Sequence, residues 1–172
     1  MSPAQGADGH QPLRTNLVPM PVQRLITGLR VQVDATVTAP NAVRNRVRRW
    51  LTDHHWPEES AADCVLAVSE AVTNSVEHGY GITGHSGAPP SGSVTVDGHL
   101  ARTDHHYQAV FEVRDQGRWQ AAPPDRQHGF SWSIMRSCME DVRVDRSDQG
   151  TTVFLWSRPA TPRIDGARDG HD

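Results

Sequence analysis

The chain has 172 residues, 36% of them hydrophobic, and a formal net charge of −3 at pH 7. That is enough for one domain with a real core, and no apolar run approaches the roughly 18 residues of a membrane helix. The N-terminus has no secretory apolar stretch, so a cytoplasmic protein with no membrane partner is expected, and the negative balance argues against nucleic acid.

Met1 to about Gln23 is rich in Pro, Gly, Gln and Ala without periodicity; it reads as a disordered tail (1–23) ahead of a domain at 24–158. Within Gly28–Val37 the segment LRVQVDATV alternates as a strand with one buried face. Pro40 opens a helix with Ala42, Val43, Val47, Trp50 and Leu51 on its apolar side and Arg44, Arg46, Arg48 and Arg49 mostly outside. Trp56-Pro57 breaks it. A second helix starts near Glu58, with acids in its first turn favouring the dipole, and runs to about His78.

Gly79–Gly92 is too rich in Gly and Pro for any regular element and reads as a loop. Ser93–Arg102 and Tyr107–Arg114 read as a hairpin, Asp115–Gly129 as a polar loop and Phe130–Met139 as a short helix. Val142–Asp145 and Thr151–Trp156 form a second hairpin turning at Ser147–Gly150, and 159–172 is a polar tail. Helices alternating with antiparallel hairpins predict an α+β fold, a two-layer sandwich. Cys64 and Cys138 fall in helices without a CxxC partner, which favours buried thiols. Neither His54-His55 nor His105-His106 has the spacing or acidic neighbours of a metal site.

Three short stretches carry chemistry. On the second helix Ala61, Val65, Val68, Val72 and Val76 form one stripe, and Glu70 and Asn74 are neighbours one turn apart on the opposite side. Alone, that pair suits a solvated helix face. An amide oxygen is also a hard ligand for Mg²⁺, and a carboxylate one turn away can take the proton of a hydroxyl attacking a terminal phosphate. Asp115 ends a strand whose Phe111 and Val113 face one way, and stands beside Gly117. It is either an ordinary Asp turn or an acceptor for an exocyclic amine, glycine letting the backbone approach the ring. Gly150-Thr151 is a hairpin turn leading into a strand, or the far side of the same pocket.

Taken in this order, SEAVTNSVEHGY resembles the N-box of the GHKL ATPase superfamily, in the form typical of bacterial anti-sigma-factor serine kinases. VRDQG resembles its Asp-x-Gly adenine motif, and GFSWSIM with MEDV, followed by GTTVFL, resembles the lid helix and final Gly-Thr strand. The resemblance covers roughly Val31–Trp156. It implies the Bergerat ATP-binding fold, a two-layer α/β sandwich with a mixed, mostly antiparallel sheet, and ATP and Mg²⁺ as cofactors. It implies Glu70 as general base, Asn74 as the Mg²⁺ ligand in the nucleotide site and Asp115 as the adenine partner. Gly117 and Thr151 would complete the base pocket, with Gly129 and Ser131 at its phosphate side.

The implied activity is phosphorylation of a serine on a STAS-type anti-sigma-factor antagonist, with sequestration of a sigma factor as the other arm of a partner switch. The first strand, as a sheet edge, together with Arg44, Arg48 and Arg49, is the expected surface for a homodimer or a partner.

The chain departs from the family pattern where relatives usually carry glycine, having Trp119 after the Asp-x-Gly and Ser131 in the Gly-x-Gly before the lid helix. No lysine is present to clamp a phosphate, which leaves Arg118 and Arg126 as the nearest candidates. The alternative reading is therefore a GHKL-fold protein-binding regulator with weak or no catalysis.

Overall fold

The computed structural model describes residues 23–24, 28–82, 92–103, 106–118 and 130–162. Residues 1–22 of the expected disordered tail (1–23), Trp119, Arg126, Gly129 and most of the C-terminal tail lie outside the described residues, while Gln23, the last residue of that tail, is in a strand. Ten elements follow in order: β1 (Gln23–Arg24), β2 (Leu29–Asp34), α1 (Ala39–Asp53), α2 (Glu58–Asn74), a π-helical turn (Ser75–Gly79), β3 (Ser93–Thr103), β4 (His106–Asp115), α3 (Phe130–Cys138), β5 (Asp141–Ser147) and β6 (Gly150–Trp156).

The strands form one six-stranded sheet, ordered β1-β3-β4-β6-β5, with β2 pairing β3 beside β1. The resemblance implied a mixed, mostly antiparallel sheet; every described pairing is antiparallel, so no mixed pairing is present among the described strands. In β2 the alternation holds: Leu29, Val31 and Val33 are half-buried while Arg30, Gln32 and Asp34 are exposed. Among the described residues β2 pairs only with β3, so it is an edge strand.

The core lies between the helices and one face of the sheet. Val43, Val47 and Leu51 of α1 and Val65, Val68 and Val72 of α2 bury against Val94, Val96, Phe111, Val113 and Leu155 of the central strands. Trp50 of α1 meets Phe111 of β4 edge-on, ring centroids 5.8 Å apart at 76°, a preferred geometry for an aromatic pair. The opposite face of the sheet carries charged and polar side chains together with one aromatic pair. There Arg114 pairs with Asp97 and with Glu112 at 2.6 Å, Asp97 also lies 3.7 Å from Arg30, and Phe154 stacks on Trp156.

Two expectations about α1 change. Ala42 is exposed and Ala39, four residues before Val43, is buried in its place, because the inward stripe follows the 39, 43, 47 spacing. Arg44 is not on the outer side with Arg46, Arg48 and Arg49. Its Nη2 donates 2.8 Å to Ser69 Oγ of α2, an atom in a residue only 1% exposed. Arginine's aliphatic stem allows this, covering apolar surface while the guanidinium reaches a polar partner. Cys64 and Cys138 are buried free thiols.

Candidate functional site

The site forms where α2 runs out against the ends of β4 and β6. Valines of the inward stripe fix the helix to the sheet, leaving Glu70 and Asn74 half-buried on another side. Just before the helix ends, Thr73 Oγ1 donates back to the Ser69 carbonyl at 2.9 Å, a bond that competes with regular helix geometry. The helix then widens into the π turn Ser75–Gly79, with Tyr80 N–H bonded to the Ser75 carbonyl. Such turns often mark functional positions, and this one carries the end of the N-box-like motif to the sheet.

Asp115 closes β4 with only 5% of its surface exposed. Its Oδ1 accepts the Gly117 N–H at 3.0 Å, which turns the chain tightly at Asp115-Gln116-Gly117. Three glycines make the arrangement possible. A Cβ on Gly117 would lie 2.3 Å from the carbonyl oxygen of Gly79, and one on Gly79 would lie 3.1 Å from Asp115 Oδ1. Gly150, at φ +127°, enters β6 so closely that a Cβ would lie 2.0 Å from the Asp115 carbonyl oxygen. Thr151, 4% exposed, is the register partner of Asp115 across the β4–β6 pairing. The structure thus brings Asp115 and Gly117 of one stretch beside Thr151 of another, 34 residues further along the chain.

Two residues of this corner were not singled out from the sequence. Gly79 supplies the backbone on which Gly117 rests; its only signal was its position directly after the helix. Tyr80 ties the corner. Its hydroxyl donates to the Ser93 carbonyl at 2.8 Å and accepts the Gln116 N–H at 3.0 Å, linking the π turn to β3 and to the turn after Asp115. An aromatic after a glycine gives no sequence signal for such a role.

A depression of about 320 Å³ opens between His78, Gly79, Tyr80 and Gly81 on one side and Gln116, Gly117 and Arg118 on the other. Arg118 is therefore beside the glycine corner, as one of the two expected candidates for a phosphate. A larger depression of about 440 Å³ lies over the outer sheet face at Gln32 and Thr95 and takes in Arg114, Asp115, Gln116, Gly150 and Thr152 of the motif stretches. The smaller one, bounded by the π turn and the Gly117 turn, is the candidate site; of the expected nucleotide residues Gly117 lines it, Asp115 lines the larger one, and Glu70, Asn74, Ser131 and Thr151 line neither.

Glu70 is held from outside α2. The Ser131 hydroxyl, in the first turn of α3, donates to Glu70 Oε2 at 2.6 Å. Among the described residues no group of three or more His, Cys, Asp and Glu side chains could hold a metal. A Mg²⁺ held by one amide oxygen, phosphates and water needs no such group, so the half-buried Asn74 fits that ion. Glycine at 79 and at 117 lets the two turns close on each other and on the Asp115 carboxylate, which fixes that buried acceptor at the end of β4.

Residues 33–156 match the histidine kinase-like ATPase domain family. The chain belongs to this family. An anti-sigma F factor of Bacillus licheniformis is 32% identical over 93 residues, a match covering 51% of this chain and 62% of that relative. The crystal structure of the RsbU and RsbW domains of Rv1364c from Mycobacterium tuberculosis superposes with a TM-score of 0.58 at 26% identity, over 80% of this chain and 34% of that one. This chain thus spans less than two thirds of each. The GHKL resemblance of the N-box stretch and the α+β sandwich are both borne out, and the family is of the ATPase and kinase type. Among the described residues no helix is long and apolar enough to cross a membrane.

Proposed function

We propose that the chain is an ATP-dependent serine/threonine protein kinase of the anti-sigma-factor type, acting in a partner switch that controls transcription. The observation that carries the reading is the corner where buried Asp115, its register partner Thr151 and the paired backbones of Gly79 and Gly117 meet the end of the helix bearing Glu70 and Asn74. The similarity to an anti-sigma F factor and to an RsbW domain supports the choice of partners, a sigma factor and a STAS-type antagonist.

In this reading Asp115 accepts a hydrogen bond from the adenine amine, the close packing of Gly79 on Gly117 holds that carboxylate in place, and Thr151 supplies a hydroxyl beside it. Asn74 offers its amide oxygen to Mg²⁺, and Arg118 stands beside the glycine corner as a phosphate partner. Bound Mg²⁺-ATP supplies the transferable phosphoryl group and offsets its charge. Glu70 receives the proton of the antagonist's serine hydroxyl on Oε1, its Oε2 being engaged by Ser131. The alternative, a regulator that binds partners with little or no catalysis, rests on Ser131 and Trp119 standing where relatives carry glycine.

The test is transfer of labelled phosphate from Mg²⁺-ATP to purified STAS-domain proteins of the same organism. The wild-type chain labels a serine on one of them. Glu70→Gln keeps ATP affinity within about threefold and loses the transfer, because an amide keeps the shape and cannot take the proton. Binding of ATP and of the STAS protein with no labelling by the wild type would select the regulator instead.

A further inference from the structure

We propose that Ser131 is a positioning residue for Glu70, so that docking of α3 and the aim of the carboxylate are one event; this rests on the kinase reading above. The hydrogen bond joins two helices whose partners lie 61 residues apart, and its 2.6 Å length is that of an O–H group donating to an ionised carboxylate.

Both ends of the bond are anchored. On α3, Met135 (2% exposed) and Cys138 (8%) bury in the core. The segment after α3 is tied to the sheet by Glu140 N–H donating 2.8 Å to the Trp156 carbonyl. On α2, Ser69 (1%) and Ala71 (0%) hold the backbone on either side of Glu70. A glutamate side chain has three rotatable torsions, and with both backbones fixed the bond to Oε2 removes most of that freedom and leaves Oε1 with one direction to face. Glycine at 131 would have no hydroxyl to do this. Ser131 thus fixes the proton acceptor from α3 while lining neither depression beside the Asp115–Gly117 turn.

The experiment measures phosphate transfer from Mg²⁺-ATP to the STAS-domain protein that the wild-type chain labels, with circular dichroism as a control for folding. Ser131→Ala lowers kcat about tenfold while the KM for ATP stays within about twofold, a split that a general loss of structure would not give. Ser131→Thr, which keeps the hydroxyl, recovers most of the rate. In the Glu70→Gln background Ser131→Ala changes the residual rate by less than about twofold, because its effect runs through Glu70. A Ser131→Ala variant as fast as wild type or faster, or one whose effect persists in Glu70→Gln, overturns the inference and leaves the kinase reading standing. No transfer by the wild-type chain to any STAS protein would remove both together.

Discussion

The backbone of Gly117 rests on the backbone of Gly79, with so little space that a single methyl group on Gly117 would fall 2.3 Å from the Gly79 carbonyl oxygen. Neither partner can yield as a side chain would. Gly117→Ala must therefore push the turn after Asp115 away from the π turn, at about 1–3 kcal/mol. Gly79→Ala should be milder, since its Cβ meets the Asp115 carboxylate at 3.1 Å. Thermal unfolding and ATP calorimetry check the pair: Gly117→Ala weakens ATP by more than Gly79→Ala, and the reverse order would place the constraint at Asp115.

Asp115→Asn is expected to weaken ATP more than any other single polar substitution. The buried carboxylate already accepts the Gly117 N–H, and an amide there would turn a donor toward that N–H or toward the adenine amine. The loss is about 1–3 kcal/mol, a drop of roughly five- to 150-fold in affinity. Titration calorimetry reads it directly, and unchanged affinity would remove Asp115 from the pocket.

Asn74→Ala should make ATP binding insensitive to Mg²⁺ without changing the metal-free affinity. Asn74 is half-buried at the last residue of α2, so an alanine there costs the helix little. Calorimetry with Mg²⁺ and with EDTA separates the two contributions. A variant that keeps the full Mg²⁺ dependence would move the ion to other ligands.

Much of the frame could be read in the sequence because it depends on local periodicity. The 3-and-4 spacing of Val65, Val68, Val72 and Val76 and the alternation of β2 each report one buried face, and both appear where expected. What stayed hidden depends on partners far along the chain. Arg44 points inward because Ser69 waits 25 residues later, and no local pattern distinguishes it from its exposed neighbours Arg46 and Arg48. The widening of α2 into a π turn adds too little to the helical period to be seen. Gly79 reads as a helix terminator, and its second role exists only because Gly117 is folded onto it. Asp115, Gly117 and Thr151 were legible as a set because their order matched a known motif series.

The inward turn of Arg44 alters the expected partner surface. Arg44→Ala should lower stability by about 1–2 kcal/mol through loss of the charged hydrogen bond to buried Ser69. Arg48→Glu with Arg49→Glu, both exposed on α1, should leave the urea midpoint nearly unchanged and slow association with an acidic partner surface in a salt-sensitive way. Stopped-flow association at two ionic strengths distinguishes them. A double variant that associates like wild type would exclude this face of α1, and light scattering on the same samples reports whether the chain pairs with itself.

Burial, with Asp63 and Cys138 adding to it, pushes the Cys64 thiol from 9.0 to about 12, and burial raises Cys138 as well. The folded chain therefore holds the Cys64 proton more tightly than the unfolded chain does. This stabilisation is intact below about pH 9 and is lost as the pH climbs toward 12. Urea midpoints between about pH 8 and about pH 10.5 should fall more steeply for wild type than for Cys64→Ala. Equal slopes would mean that the thiol titrates as it does in the unfolded chain.

The strand order has a consequence for how the protein is made. Of the described strands β6 comes last in sequence and lies between β4 and β5, so Thr151 reaches Asp115 only once β6 has been inserted. A nascent chain still holding β6 inside the ribosome has its two long helices and the β3–β4 hairpin outside, with no neighbour for Asp115 on that side. The corner that joins Asp115 to Thr151 thus forms only after β6 has been made, and a chain stopped short of β6 lacks one of its two sides.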